Sequence, residues 1–475
     1  MTFLVKLGYL LKINGFRLTI LFGLGLFQTM ASSQSLDDAI RSALVQYPSI
    51  IAAHARYEAS RSDILKSQGQ HYPQVSWQGT TSNYSGINSN GAAAASGLLP
   101  DNTWIQSPNV TINIWAGGRI QADVDRSKST SAARFYQQRL TRDEVALLAL
   151  EGYMNWARGL ELVNLARANV NAHQRILNDV KKITYVDQGR MIDQYQAEVR
   201  FENAALTLKL RETELAVATQ RLERMLLGPT PSKPAGINHI RGDLPPTAAL
   251  AVALINDGHP AIALQLSQIK AARASLDSAR SQYSPTVDLS YGKQFTQGTG
   301  QGDFITQISI KFPIFSGGAT YGAVGSASNE LLATQQGLSE ARILLKERIL
   351  SLWPELQNAR SRKELAQRQV TTGIKLVQGY DQQFRIGRRS LLDLLTVQND
   401  LFSYQSSATI ATFEEHIFKG RLLAAIGKLA EAYQTNQQST EIPTAGYSGS
   451  LLGALTQSRK AILAQPIQQT EPIAP

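Results

Sequence analysis

The sequence predicts a mainly α fold with a small β part, built twice over as helix, strand, strand, helix. Three observations carry this: a proline-bounded helical stretch that recurs, four segments alternating apolar and polar residues, and two very long helical runs. Tyr47-Pro48 opens a helical stretch that ends at Tyr72-Pro73. His259-Pro260 opens another that ends at Ser284-Pro285, both marks lying 212 residues further on (260 − 48 and 285 − 73). Ile114-Trp115-Ala116-Gly117-Gly118 then matches Ile314-Phe315-Ser316-Gly317-Gly318 at an offset of 200 (314 − 114). The twelve-residue difference places a longer loop in the first copy, where 85–97 is rich in Ser, Gly, Asn and Ala.

Each copy carries two strand candidates. In the first, Val75 and Trp77 alternate with Ser76 and Gln78, and Val110, Ile112 and Ile114 with Asn109, Thr111 and Asn113. In the second, Val287, Leu289 and Tyr291 alternate with Asp288 and Ser290, and Ile308, Ile310 and Phe312 with Gln307, Ser309 and Lys311. One apolar and one polar face suits a barrel wall between lipid and water. It suits a half-buried soluble sheet equally, so alternation alone leaves both readings open. Four strands cannot close a barrel, and an open edge cannot exist in lipid. If these strands enter a membrane, several chains pool them, and three chains give twelve.

The helices are long. No Pro interrupts Gly118 to about Val186, where Leu140, Leu147, Tyr153, Leu160, Val163, Val170, Leu177 and Val180 recur at helical spacing. Roughly 65 residues at about 1.5 Å each make a rod on the order of 100 Å, which packs as coiled coil. The second copy repeats this from about Thr320 to Phe384, with Pro354 expected to kink the helix or start a local bulge. Together these readings divide the chain into 35–228 (strands 74–84 and 104–115, hairpin 118–227), a Pro-rich linker 229–246, and 247–430 (strands 286–296 and 303–314, hairpin 319–428). A Gln-, Thr- and Pro-rich tail, 431–475, is expected to be poorly ordered.

Residues 1–31 read as a signal peptide: Lys6, Lys12 and Arg17 lead into the apolar run Leu18–Phe27, followed by Thr29-Met30-Ala31. With no later run approaching 18 apolar residues, the protein is either free in the periplasm or embedded as a β-barrel. Cysteine is absent, which excludes thiolate metal sites and redox chemistry. The net charge of +10 comes without a dense basic run interleaved with aromatics, so nucleic acid is not an expected partner. The six histidines form no metal-spaced pair, and no phosphate loop or Gly-x-Ser-x-Gly is present. Glu414-Glu415-His416 reads as a solvated or interface helix face. No catalytic, metal or cofactor site is expected, and the chain is not read as an enzyme.

Each rod reverses at a Gly-containing turn, at Gly189 in Tyr185–Asp193 and at Gly387 in Phe384–Asp393. Gly387 suits the left-handed residue that ends a helix, and Ser390 with Asp393 forms a Ser-x-x-Asp start signal. Asp393 therefore reads on its own as a helix cap.

The duplicated plan together with Phe384–Gln398 (FRIGRRSLLDLLTVQ) resembles the TolC family of outer-membrane exit ducts, over roughly residues 35–430. The resemblance implies a homotrimer: a twelve-stranded barrel in outer-membrane lipid and a coiled-coil α-barrel reaching into the periplasm. It also implies partners, a periplasmic adaptor (membrane fusion protein) and an inner-membrane pump. Carried over by position, Asp393 matches an aspartate whose threefold ring narrows the pore. Arg389 matches an arginine that ties neighbouring hairpins in the closed state, and Asp193 its counterpart acid. Phe384 stands where some members have a hydrogen-bonding tyrosine, and Thr396 where a second aspartate ring occurs. The tips (Gly189, Arg190, Gly387, Arg388, Ser390 and Leu391) are where the adaptor is expected to dock. FRIGRRSLLDLL most resembles members that export large adhesins or repeat toxins with an ABC transporter in type I secretion. A multidrug efflux pump component is the alternative, and a periplasmic coiled-coil adaptor a further one. The paired strand sets, each followed by Gly-Gly, argue against the last.

Overall fold

The computed structural model describes residues 35–83, 102–237, 239–296 and 303–433. The signal peptide, the loop 85–97 and nearly all of the tail lie outside them. The first copy comprises α1 (Leu36–Gln46), α2 (Pro48–Gln68), β1 (Gln74–Asn83), β2 (Asn102–Trp115), α3 (Arg119–Val186) and α4 (Met191–Leu226). The second comprises α5 (Ala248–Ala253), α6 (Pro260–Ser281), β3 (Thr286–Thr296), β4 (Asp303–Lys311), α7 (Ala319–Arg385) and α8 (Leu391–Ala425), with a last turn α9 (Leu429–Ala432).

Local chemistry sets the boundaries. Ser35 caps α1 reciprocally: its hydroxyl accepts from Asp38 N, and the Asp38 carboxylate accepts from Ser35 N. Pro48 and Pro260 occupy the first positions of α2 and α6, where a missing N–H costs nothing. Gly118 and Gly318 precede α3 and α7 at φ 86° and 84°, a left-handed conformation that glycine adopts without strain. Strand β4 stops at Lys311, short of the expected 314, because Pro313 cannot donate to a ladder.

The four strands form one antiparallel sheet in the order β1-β2-β3-β4. Its register aligns the faces. Val75 opposes Val110, which opposes Tyr291, and Ile112 opposes Leu289, which opposes Ile308. On the other face Ser76 opposes Asn109, while Asn113, Asp288 and Ser309 form a polar row. Asn113 Nδ2 donates to Asp288 Oδ1 at 2.7 Å. The apolar face is solvent-exposed in the single chain, as Val75, Trp77, Ile308 and Ile310 show.

The helices form one layer. At the strand end α3 lies between α2 and α6, and α6 also packs on α7. At the turn end α3 lies between α4 and α8, and α8 packs on α7. The edges are thus α7 on one side and α2 then α4 on the other. Helix α7 runs unbroken through Pro354, with no wide turn, so the expected bulge is absent. Ile349, Leu352 and Leu356, all buried, anchor the helix on both sides of the proline.

A belt midway along the rods holds the main core. Leu36 and Ile40 of α1, Leu150, Tyr153 and Met154 of α3, Leu222 of α4, Ile349 and Leu356 of α7, and Leu422 and Leu423 of α8 share one buried cluster. The linker is strapped to it: Tyr153 Oη donates to Ala235 O at 3.1 Å and accepts from Ala235 N at 2.9 Å. Tyr433, only 1% exposed, belongs to the same core, and its hydroxyl accepts from Arg241 N. The chain is therefore packed through Tyr433, two residues beyond the expected start of the tail. Gly420 lets α8 approach α3, since a Cβ there would lie 2.9 Å from the Leu150 side chain.

Two buried titratable groups, Asp143 and His259, and the half-buried Glu415 secure the belt. The Asp143 carboxylate caps α9 by accepting from Ala430 N at 2.8 Å, and burial pushes its pKa up to about 6. His259 Nδ1 accepts from Ala261 N, which leaves Nε2 to donate to Ala425 O at 3.1 Å. Burial lowers its pKa and favours this neutral form. Burial also pushes Glu415 upward, but Lys363 and Arg360 outweigh it and hold the group below its ordinary value. Glu415 bonds both cations from α8 to α7, and Glu414 pairs with Arg362 at 2.7 Å. The Glu-Glu-His run is an interhelical clasp.

Candidate functional site at the hairpin tips

The two tips are built differently. At the first, α3 ends on Asp187, whose Oδ1 accepts from Gly189 N at 3.1 Å, and a single 3-10 turn, Gln188–Arg190, leads into α4. Gly189 is not left-handed. Arg190 grips Asp193 through Nε at 2.8 Å and Nη2 at 2.7 Å. Beneath the turn, buried Thr184 donates to Gln194 Oε1 at 2.9 Å.

At the second tip Gly387 has φ 72°. Arg388 N donates to Gln383 O at 2.9 Å and Gly387 N to Phe384 O at 3.0 Å, the double closure of a glycine-terminated helix. Ser390 starts α8, its hydroxyl accepting from Asp393 N at 3.1 Å. The Asp393 carboxylate faces Arg389 Nη1 at 3.6 Å. Arg389 also donates through Nε to Gln383 Oε1 at 3.1 Å, and its guanidinium lies 4.4 Å above the Tyr380 ring. Thr396 turns its hydroxyl onto Leu392 O, so it presents no charge.

Of the residues singled out in the sequence, Arg389 and Asp393 come together, while Asp193 is engaged by Arg190 within its own hairpin. Phe384 is 8% exposed and shares a cluster with Leu177, Val180, Ala197, Leu391, Leu394 and Leu395, drawn from all four helices of the tip. Leu391 is thus buried, at 2% exposure, and its side chain cannot serve as a docking contact. Burying it contributes more than leaving it in water, as does any large aliphatic side chain. Gly189, Arg190, Gly387, Arg388 and Ser390 lie on the turns, with the Ser390 hydroxyl committed to its cap. Sequence reasoning missed Tyr185 and Val186, 89% and 87% exposed, and Ile386, also exposed. An unpaired apolar residue inside a turn was the available signal. It also missed Arg385, which pairs with Asp381 at 3.0 Å and reaches Asp179 of the first hairpin at 3.9 Å. Among the described residues no group of acidic, His or Cys side chains is placed to hold a metal ion.

Residues 252–428 match the family model described as outer membrane efflux protein. The outer membrane protein TolC of Vibrio cholerae serotype O1 is similar to the chain, with 21% identity over 422 residues, 86% of this chain and 94% of that protein.

The chain is similar to outer-membrane efflux proteins of the TolC type.

The outer membrane efflux protein BepC of Brucella suis biovar 1 is 23% identical over 301 residues, 62% of this chain and 66% of that protein, just under two thirds of its length. The crystal structures of CusC share the fold, with a TM-score of 0.73 at 16% identity over 85% of this chain and 95% of that one. The relatives are named as outer-membrane and efflux proteins, which places the protein in the outer membrane and not among the enzymes. No described helix is long and apolar enough to cross a membrane.

Proposed function

We propose that three copies of this chain close a twelve-stranded barrel in the outer membrane and a helical tunnel below it, forming the exit duct of a type I secretion system. The observation that carries this reading is the sheet: four strands with one mainly apolar face, one mainly polar face and two unpaired edges, β1 and β4. In lipid each open edge requires a neighbour's strand. The helical layer supports the same closure. Edge helix α4 exposes Val199, Leu206 and Leu210, and edge helix α7 exposes Ile343, Leu344 and Leu365, the apolar stripes that a neighbouring copy covers.

At the tunnel's inner end, Asp393 sets ion preference in a threefold ring and Arg389, its neighbour, tempers the repulsion. Thr396 removes a second charged ring. The adaptor docks on the exposed tips through Tyr185, Val186, Arg190 and Arg388, and an ABC transporter supplies protein cargo. The run FRIGRRSLLDLL favours that cargo. A relative named as an antibiotic efflux pump outer membrane protein favours a second reading, a drug-efflux outlet.

Purified in detergent from outer membranes, the protein is expected to be trimeric and to conduct ions in planar bilayers. A monomeric, detergent-free soluble, non-conducting product overturns the duct. Deleting the gene separates the cargo readings: loss of a large surface adhesin supports secretion, and drug sensitivity with the adhesin intact overturns it.

A further inference from the structure

A groove of about 550 Å3 lies in the helical layer at the level of the belt, well above the tips. Its walls include Arg158 and Leu162 of α3, Arg211, Val217 and Arg221 of α4, and Ile410 of α8. Gly152 and Gly159 of α3 line it too, and add no side chain to fill it. The charge is one-sided. Glu214 is the only acid on these walls, and it is engaged by Arg211, whose Nη1 donates to Glu214 Oε2 at 2.7 Å. The buried Nε of Arg211 has no hydrogen-bond partner. Among the described residues, Arg158 and Arg221 have no hydrogen bond or ion pair at all. Guanidinium groups beside apolar walls attract a carboxylate more strongly than they do on an open surface, because less water screens the pair.

The groove opens on the face of the layer turned away from the linker. Tyr153 of α3 bonds Ala235 of the linker, and Leu162, nine residues on (162 − 153), lies about 180° round the helix. Lys419 of α8 donates to Ile240 O of the linker, and Ile410, nine residues back (419 − 410), also lies about 180° round. The linker face carries α1 as well, through Leu36 N on Ala235 O. When three copies close a tunnel, that face has to lie outside, since three such appendages would fill the bore. The groove then faces the lumen.

We propose that this arginine groove is a binding site for the carboxylates of an extended polypeptide in transit, with Arg158 and Arg221 holding Asp and Glu side chains and Leu162, Val217 and Ile410 receiving the apolar residues between them. Each guanidinium offers a fork that matches a carboxylate. Repeated in each copy, the site gives several equivalent weak contacts round one bore, so a bound segment is held without being trapped. The level of the belt therefore favours acidic cargo, opposite in sign to the aspartate ring proposed at the tips.

The proposal rests on the protein-cargo reading, and the test tells the two apart. The probe is fluorescein-labelled octa-glutamate, titrated onto the full-length protein in detergent and followed by anisotropy. Wild type is expected to bind it, and more weakly as KCl rises from about 0.05 to about 0.5 M. Replacing both arginines, Arg158→Gln with Arg221→Gln, is expected to weaken binding roughly tenfold. Arg158→Lys with Arg221→Lys is expected to lose less, because lysine keeps the charge without the fork. Arg224→Gln, on the same helix but outside the groove, is expected to change little. Unaltered affinity in the double glutamine variant overturns the site. Acetate that competes as well as octa-glutamate at equal carboxylate concentration overturns the polypeptide as its ligand. Should the double variant not fold, phenylglyoxal modification of wild type reads the same contact: octa-glutamate is expected to protect Arg158 and Arg221, and unprotected arginines overturn the site. Failure of the secretion reading shows separately, as drug sensitivity with intact surface adhesin on gene deletion while octa-glutamate still binds; that outcome keeps the site and removes protein cargo as its natural ligand.

Discussion

The two hairpin tips descend from one plan at an offset of 200 residues, yet the same positions do different work. Thr184 and Gln194 close the first tip with a buried hydrogen bond, and their counterparts Phe384 and Leu394 close the second by apolar packing. The first turn runs through an aspartate cap and a 3-10 turn, the second through a left-handed glycine. A hydrogen bond satisfies partners inside one hairpin, whereas an exposed phenyl ring must find apolar surface, and the nearest is the other hairpin. Duplication supplied the rods; divergence at a few tip positions decided which hairpin leans on which.

The contrast is broken most directly by truncation. Phe384→Ala is expected to cost about 3 kcal/mol of local tip stability, read as amide exchange in 380–395, and to raise exchange in 176–183 as well. If only its own hairpin loosens, the second tip closes on itself as the first does.

The belt between the tips and the strands gives the next largest effect. The raised pKa of Asp143 means that its ionised form is disfavoured by folding, so this group's contribution to stability grows as pH falls from above about 6 toward its ordinary value of 3.8. Asp143→Asn, whose amide oxygen still accepts from Ala430 N, is expected to stabilise the protein by up to about 2 kcal/mol at pH 7.5. That gain should shrink steadily as melts are repeated down to pH 4.5. A constant difference across that range contradicts a buried, costly carboxylate.

Glycine substitutions sharpen the comparison of the turns. Gly387→Ala forces a Cβ into a left-handed residue and is expected to cost about 1 kcal/mol. Gly189→Ala meets only the movable Asp187 Oδ1, at 3.2 Å, and should cost less than about 0.5 kcal/mol in the same denaturation series. Equal costs would mean that the two turns share one conformation.

The smallest effects separate polar closures. Thr184→Val is expected to loosen 184–194 by about 1 kcal/mol without touching 380–395. Arg190→Ser and Arg389→Ser, which remove partly exposed ion pairs, should each change stability by less than about 1 kcal/mol, leaving their effect to be read in ion selectivity.

The tips also show how far the sequence could be read. Gly387 and Ser390 announced a helix end and a helix start because capping chemistry is local, and the structure places both as written. Gly189 looked equivalent, but the neighbouring Asp187 closes that turn with its side chain, an option that a glycine count cannot reveal. Leu391 was legible as a tip residue and not as a buried one, since burial depends on a hairpin nearly two hundred residues away. Pro354 was expected to kink its helix or start a local bulge. The helix continues through it without a bulge, anchored by the belt residues packed on both sides, and that packing is not visible along the chain.

By itself the sequence determined whatever depends on near neighbours: the duplicated order of elements, the period-two strands, the long uninterrupted rods and the proline, glycine and serine boundaries. These follow from backbone sterics and side-chain periodicity, which act over a few residues. Tertiary structure alone decided which edges stay open, that Tyr433 seals the belt, that Arg389 turns to its own hairpin and that Phe384 crosses to the other. Each of these is a choice among distant partners, set by which apolar surfaces and unsatisfied polar groups the folded rods bring within reach.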